Sequence, residues 1–165
     1  MVMVALGAAV LAWANWPLEP LAAGRRADRV MIEKRQRRLT LYAGAQVLRS
    51  YPVSLGRVPV GPKRVEGDKK TPEGCYRVSF HKADSAFHLA LRLSYPNADD
   101  RARAAALGLP PGDFIMIHGL PNGWGWLGRL QRLRDWTVGC IALTDAEIEQ
   151  IYAATPDGAV VEIRE

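Results

Sequence analysis

Residues 29–55 read RVMIEKRQRRLTLYAGAQVLRSYPVSL, and their period sets the expected fold class. RVMIE and RLTLY alternate apolar with polar or charged side chains, the repeat of two that lines one face of a half-buried strand. Tyr42 to Gln46 reads as a hairpin turn into QVLRSYPVSL, so the stretch is expected to form a β-meander. Further strands are expected at CYRVSF, FHLALRLSY, the end of PPGDFIMIHG, and AVVEI after the turn Pro156-Asp157-Gly158. In FHLALRLSY, Leu89, Leu91 and Leu93 share one face and His88, Ala90 and Arg92 the other. In the next strand Phe114, Met116 and His118 lie together. Helices are few and short. NADDRARAAAL carries acidic residues in its first turn and Gly108 after its end. Thr144-Asp145-Ala146-Glu147 is a capping box, opening a helix with Ile148, Ile151 and Tyr152 inward.

Composition agrees with this reading. Eleven prolines and fifteen glycines in 165 residues imply many turns and short elements, and the length suits one domain with a sizeable core. Hydrophobic content of 48% and charged content of 24% are those of an ordinary globular chain. The net charge of +5 fits an acidic partner: nucleic acid, anionic lipid or an acidic wall polymer. The basic residues do not interleave with aromatics, and Arg35, Arg37 and Arg38 read as a solvated hairpin face, so nucleic acid is set aside.

Val2 to Trp13 is an unbroken apolar stretch, short for a bilayer span but the right length for a signal core. Residues 1–24 are therefore expected to be a signal peptide or membrane anchor; the rival is a buried N-terminal helix. Leu21-Ala22-Ala23 loosely resembles a cleavage site. The first positive charges, Arg25 and Arg26, follow the apolar run instead of preceding it, so a start upstream of Met1 is expected.

Gly56 to Gly74, GRVPVGPKRVEGDKKTPEG, forbids regular structure yet is not low complexity. Ordered loops of this length are often functional; a disordered linker is the alternative. Residues 120–136 form a second loop, rich in Gly and Trp, in which Leu127, Leu130 and Leu133 recur at intervals of three.

Chemistry concentrates around DWTVGCIAL, residues 135–143. A structural cysteine sits within an apolar run, whereas Cys140 sits at the mouth of one, after a glycine. A cysteine nucleophile needs a base, usually histidine, and oriented N–H donors for the oxyanion. His118, at a strand end beside Gly119, is the candidate base. Gly139 lets the chain turn so that the amides of Val138, Gly139 and Cys140 can converge. His88 reads as structural, and His81 offers nothing. With only two cysteines no disulfide framework exists. Both are expected to be free thiols, Cys75 serving as a small hydrophobe on a strand.

His118-Gly119, a variable loop and Thr137-Val138-Gly139-Cys140 resemble the signature of the L,D-transpeptidase catalytic domain, the YkuD family of bacterial cell-wall enzymes. The resemblance extends over residues 29–163 and includes GDKKTPEG and SYPN. It implies a mainly β fold, a β-sandwich with short peripheral helices. It further implies Cys140 as nucleophile and His118 as base and later acid, with Thr137, Val138, Gly139 and Gly119 around the oxyanion and substrate. No metal or cofactor takes part in the implied reaction, and the location is the bacterial cell envelope. The implied substrate is a peptidoglycan stem peptide: a tetrapeptide is attacked at diaminopimelate, D-alanine leaves, and the acyl group passes to an amine. One departure is Ala142, where many family members carry Arg or Asn.

Two other readings remain open at this stage. One is a wall-peptide hydrolase using the same Cys-His pair, the other a non-catalytic wall-binding module. A papain-like protease is disfavoured, because there the cysteine precedes the histidine. Trp124, Trp126 and Trp136 could wall a peptide channel or pack a lid, with packing favoured for Trp136. Arg129, Arg132 and Arg134 could meet substrate carboxylates or form a solvated face.

Overall fold

A computed structural model describes residues 2–22 and 24–165. Met1 lies outside the described residues, as does Ala23, the last residue of the expected cleavage triplet. Eight strands carry the fold: β1 (Arg29–Glu33), β2 (Arg38–Ala43), β3 (Gln46–Pro52), β4 (Gly74–Ser85), β5 (His88–Leu93), β6 (Met116–His118), β7 (Ile141–Ala142) and β8 (Val160–Arg164). Three α-helices, α1 (Val2–Ala14), α2 (Ala98–Ala105) and α3 (Asp145–Ala154), and a kinked 3-10 segment (Gly125–Leu133) surround them. The hydrogen-bonded order is β3-β2-β1-β8-β4-β5-β6-β7.

The meander forms as its period dictates. Val30 pairs with Leu41 and Ile32 with Leu39, all fully buried. β8 then lies parallel to β1, setting Val161 and Ile163 beside Val30 and Ile32. Nothing in the local pattern foretells that pairing, which joins the two ends of the domain. The long strand β4 belongs to both halves of the ladder: Gly74–Arg77 pair with β8, and Val78–Ser85 with β5. At the far edges, Ser54 beyond β3 bridges Ala142 of β7, with N–H to O bonds of 2.9 and 2.8 Å in the two directions. The ladder thus returns on itself as a sandwich, and Leu39, Leu41, Leu91, Ile117 and Ile141 fill one continuous core.

Helix α3 starts at the expected capping box: Thr144 Oγ1 accepts from Glu147 N–H, and Glu147 Oε2 from Thr144 N–H. Ile148 and Ile151 are buried, whereas Tyr152 is only half-buried. The leucines spaced by three fall on the 3-10 segment, where a kink at Gly128 separates Leu127 from Leu130 and Leu133. Cys75 is on β4 but faces solvent opposite Glu162, not the core as expected. Arg37 is more than a solvated charge: its guanidinium meets Asp135 at 2.9 Å.

The stretch 56–74 is an ordered loop. Buried Lys34 holds it at two points, Gly61 O and Glu73 Oε1, both at 2.7 Å. Asp68 organises its middle, accepting from Lys63 Nζ and from the amides of Arg64, Val65 and Lys70. Burial alone would push the Asp68 carboxyl up, but these donors outweigh it and hold it below its ordinary value. Packing also begins ahead of residue 29. Ala14 is buried, Leu18 and Leu21 lie against the core, and Gln150 Nε2 donates to Glu19 O at 2.9 Å.

Candidate active site

Three separate segments build the turn that carries Cys140. Asp135 accepts from Leu55 N–H at 2.9 Å while paired with Arg37. Thr137 then continues the contact with the 54–57 segment: its N–H donates to Leu55 O at 3.1 Å, and Arg57 N–H donates to Thr137 O at 3.0 Å. The Thr137 hydroxyl closes the turn, donating to Cys140 O at 2.8 Å and accepting from Gly139 N–H at 3.1 Å. Gly139 has φ of 137°, and a Cβ there would stand 2.7 Å from Lys70 O, so loop 56–74 leaves room only for glycine. Val138 is exposed at the lip, and half-buried Cys140 directs its thiol towards Phe114 O at 3.5 Å. The expected convergence of three amides is reduced, because the Gly139 N–H is engaged by Thr137. The Val138 and Cys140 amides are left as candidates for an oxyanion.

His118 comes from the neighbouring strand. Ile117 pairs with Ile141 and His118 with Ala142, in parallel register. That register sets His118 beside Ala142, two residues after Cys140; alternation carried back past the end of β7 would bring Cys140 to the same side. The imidazole Nδ1 lies 2.7 Å from Gly119 O. A carbonyl can only accept, so Nδ1 carries the hydrogen and Nε2 presents a lone pair. Gly119 must be glycine: a Cβ would come within 2.8 Å of Asp145 Oδ1 and 3.0 Å of Ile148. Phe87 and Trp136 enclose the ring, with centroids at 4.5 and 5.8 Å. Burial outweighs the Gly119 bond and lowers the imidazole to about 4. For Cys140, burial raises the thiol, opposed by a Met116 backbone contact and the positive charge of Lys63. Both shifts favour the uncharged forms, a thiol and a neutral imidazole.

The thiol opens into a cleft of about 280 Å³ lined by Lys63, Glu66, Lys69, Phe114, Val138 and Cys140. Lys63 is 4% exposed, and its ammonium donates to Val65 O and Asp68 Oδ1, each at 2.9 Å. Sequence reading missed it. Its only signal was that it lies in a long loop too varied to be a linker. Phe114 was expected on a strand face with His118; instead it has φ of 58° and is exposed under the Arg92 guanidinium.

A second, apolar groove of about 520 Å³ runs along Trp124, Leu127, Leu130, Leu133, Arg134 and Trp136. Trp136 packs, as expected, and donates to Gln131 Oε1 at 2.8 Å, while Trp124 and Trp126 are exposed and stacked. Arg129 is committed to the carbonyls of Trp13 and Trp16, and Arg132 to Glu147. His88 is held by Glu149 at 2.8 Å, and His81 by Asp157 and Tyr152 O. Ala142 is fully buried, its backbone locked to Ser54, so this position serves sheet packing. Among the described residues, no group of three or more His, Cys, Asp or Glu gathers to hold a metal ion.

Comparison with known proteins agrees with this geometry. Residues 27–163 match the model of the L,D-transpeptidase catalytic domain. YafK of Escherichia coli strain K12, whose L,D-transpeptidase name is itself provisional, is 33% identical over 129 residues, 74% of this chain and 45% of YafK. The chain thus spans under half the length of that relative. Among solved structures, the helical cell shape determining protein Pgp2 of Campylobacter jejuni superposes with a TM-score of 0.63 at 24% identity, covering 94% of this chain and 54% of Pgp2. An L,D-transpeptidase of Mycobacterium smegmatis gives 0.53 at 16% identity, covering 83% and 58%. At these identities the structures speak for the fold, while the match over residues 27–163 speaks for descent: the chain belongs to the L,D-transpeptidase catalytic-domain family.

Proposed function

We propose that the chain is a cysteine acyltransferase of bacterial peptidoglycan, working in the cell envelope. The observation that carries this reading is the His118 Nδ1–Gly119 O bond, which turns the Nε2 lone pair into a base on the face that holds Cys140. His118 Nε2 takes the thiol proton as Cys140 Sγ attacks the diaminopimelate carbonyl of a tetrapeptide stem. The oxyanion is met by the Val138 and Cys140 amides. Collapse breaks the bond to D-alanine, whose nitrogen takes the proton from His118, and a thioester remains on Cys140. An acceptor amine then gives its proton to His118 and attacks the thioester, and the sulfur leaves and is reprotonated. The donor stem enters through the Lys63 cleft, where the exposed Lys69 ammonium attracts a stem carboxylate. The acceptor approaches along the Trp136 groove, on the side of the ring that His118 already touches.

Intact mass after incubation with a disaccharide-tetrapeptide, with and without an acceptor stem, tests this. An acyl adduct absent from Cys140→Ala, together with a crosslinked dimer, is expected. An adduct yielding only a shortened stem would make the chain a wall hydrolase. Sacculus binding without any adduct would leave a binding module.

A further inference from the structure

We propose that helix α1 and the tryptophan-bearing face of the 3-10 segment form one membrane-docking surface whose occupant is a lipid bilayer, with residues 14–22 as a strap built into the domain. This inference does not depend on the chemistry at Cys140.

Helix α1 is apolar throughout, VMVALGAAVLAWA, and residues 5–13 are all exposed. At about 100° per residue, nine consecutive exposed positions cover every side of the helix. A helix covering a protein core would be apolar on one stripe only. At about 1.5 Å per residue its 13 residues extend roughly 20 Å, and no described helix is long and apolar enough to cross a membrane. That length suits entry into one leaflet of a hydrocarbon core about 30 Å thick.

The tryptophans make the second observation. Trp13, Trp16, Trp124 and Trp126 are each more than half exposed, at 58%, 68%, 54% and 55%. Backbone contacts tie together the two segments that carry them. The Arg129 guanidinium donates to Trp13 O at 2.8 Å and to Trp16 O at 3.2 Å. Asn15 Nδ2 donates to Trp126 O at 2.9 Å, and the Trp124 and Trp126 rings stack at 6.2 Å. Large indoles are seldom left in water, but they concentrate at headgroup level, where the ring is half-solvated and the N–H finds partners. The fifth, Trp136, is half-buried and packed against His118.

The junction is built rather than loose. Gly128 approaches the Ala14 carbonyl so closely that no Cβ fits, Leu18 and Leu21 pack on the core, and Arg49 holds Glu19 O. These contacts tie Ala14, Leu18, Glu19 and Leu21 to the folded domain, and the docking surface requires that they stay joined to it. Arg25 and Arg26, both exposed, follow it and suit anionic headgroups. The Trp136 groove opens beside this face, so docking would fix the height of the groove above the bilayer.

The test uses the full chain and vesicles of phosphatidylcholine and phosphatidylglycerol, with no wall substrate. Flotation is expected, and Trp124→Ser/Trp126→Ser should lower vesicle partitioning by about tenfold or more. In Trp13→Phe/Trp16→Phe, the remaining exposed indoles are those of the 3-10 segment, and brominated lipid should quench them. Vesicle binding without that quenching would mean that α1 alone touches lipid and would overturn the proposal. Absence of binding, with self-association by light scattering, would assign the face to a second copy and overturn it too.

Discussion

The protonation state of the resting site can be worked from its surroundings. Moving a proton from a thiol above its ordinary 9.0 to an imidazole at about 4 is uphill by at least five decades, about 7 kcal/mol. Attraction between the resulting charges returns about 4 kcal/mol at contact and an effective dielectric of about 20. The ion pair therefore lies about 3 kcal/mol above the neutral pair and is populated in fewer than about one molecule in a hundred. The assay is thiolate ultraviolet absorbance against pH, with iodoacetamide alkylation alongside, in a Cys75→Ser background because Cys75 is exposed. Absorbance should rise only above pH 9, with no step between about pH 5 and 8. His118→Gln should leave that rise nearly in place, since the imidazole is already neutral where the thiol ionises. A thiolate signal persisting below pH 7, or a large upward move of the thiol on His118→Gln, would refute the reasoning. The site would then be a pre-formed ion pair, and activation would not await the substrate.

The same buried imidazole makes stability pH-dependent. Its folded value, about 4, lies below the ordinary 6.5, so the unfolded chain binds the extra proton first, and stability is complete above 6.5 and lost as pH falls towards 4. About 3 kcal/mol should disappear across that window in urea unfolding, and His118→Phe should remove most of the slope. The carboxylate of Asp68, held below its ordinary 3.8, adds losses only at still lower pH. Asp68→Ala strands the Lys63 ammonium, whose side chain is 3% exposed, and should cost about 3–5 kcal/mol. Lys63→Met leaves Asp68 with three backbone donors and should cost clearly less; the reverse order in denaturant midpoints would contradict the hub role given to Asp68. Thr137→Val removes both hydroxyl bonds of the cysteine turn and should lower stability by about 1–3 kcal/mol and slow alkylation of Cys140.

What could be read from the sequence follows from the range of the interactions involved. The meander and the Thr144 capping box were legible because each depends on neighbours a few residues away. The Cys140 turn was legible for the same reason, since Thr137 closes it within four residues. The fate of the Gly139 amide was not, although its partner is equally local. Turn chemistry permits either a free amide or one captured by the Thr137 hydroxyl, and tertiary packing of Gly139 on Lys70 O selects the second.

The parallel β1–β8 pairing and the Lys63 cleft were hidden for a different reason. Both arise from closure of the sandwich, where β4 passes between the halves and Ser54 meets Ala142. Lys63 carries no local mark of function, and its charge sits beside Cys140 only because loop 56–74 is pinned by Lys34 at Gly61 and Glu73. The candidate base shows both kinds of dependence at once. The bond from His118 to Gly119 O is as local as any, yet burial against Phe87 and Trp136 is what keeps the ring neutral. A motif can therefore point to a candidate nucleophile and a candidate base, while the closed sandwich sets the burial that decides their protonation.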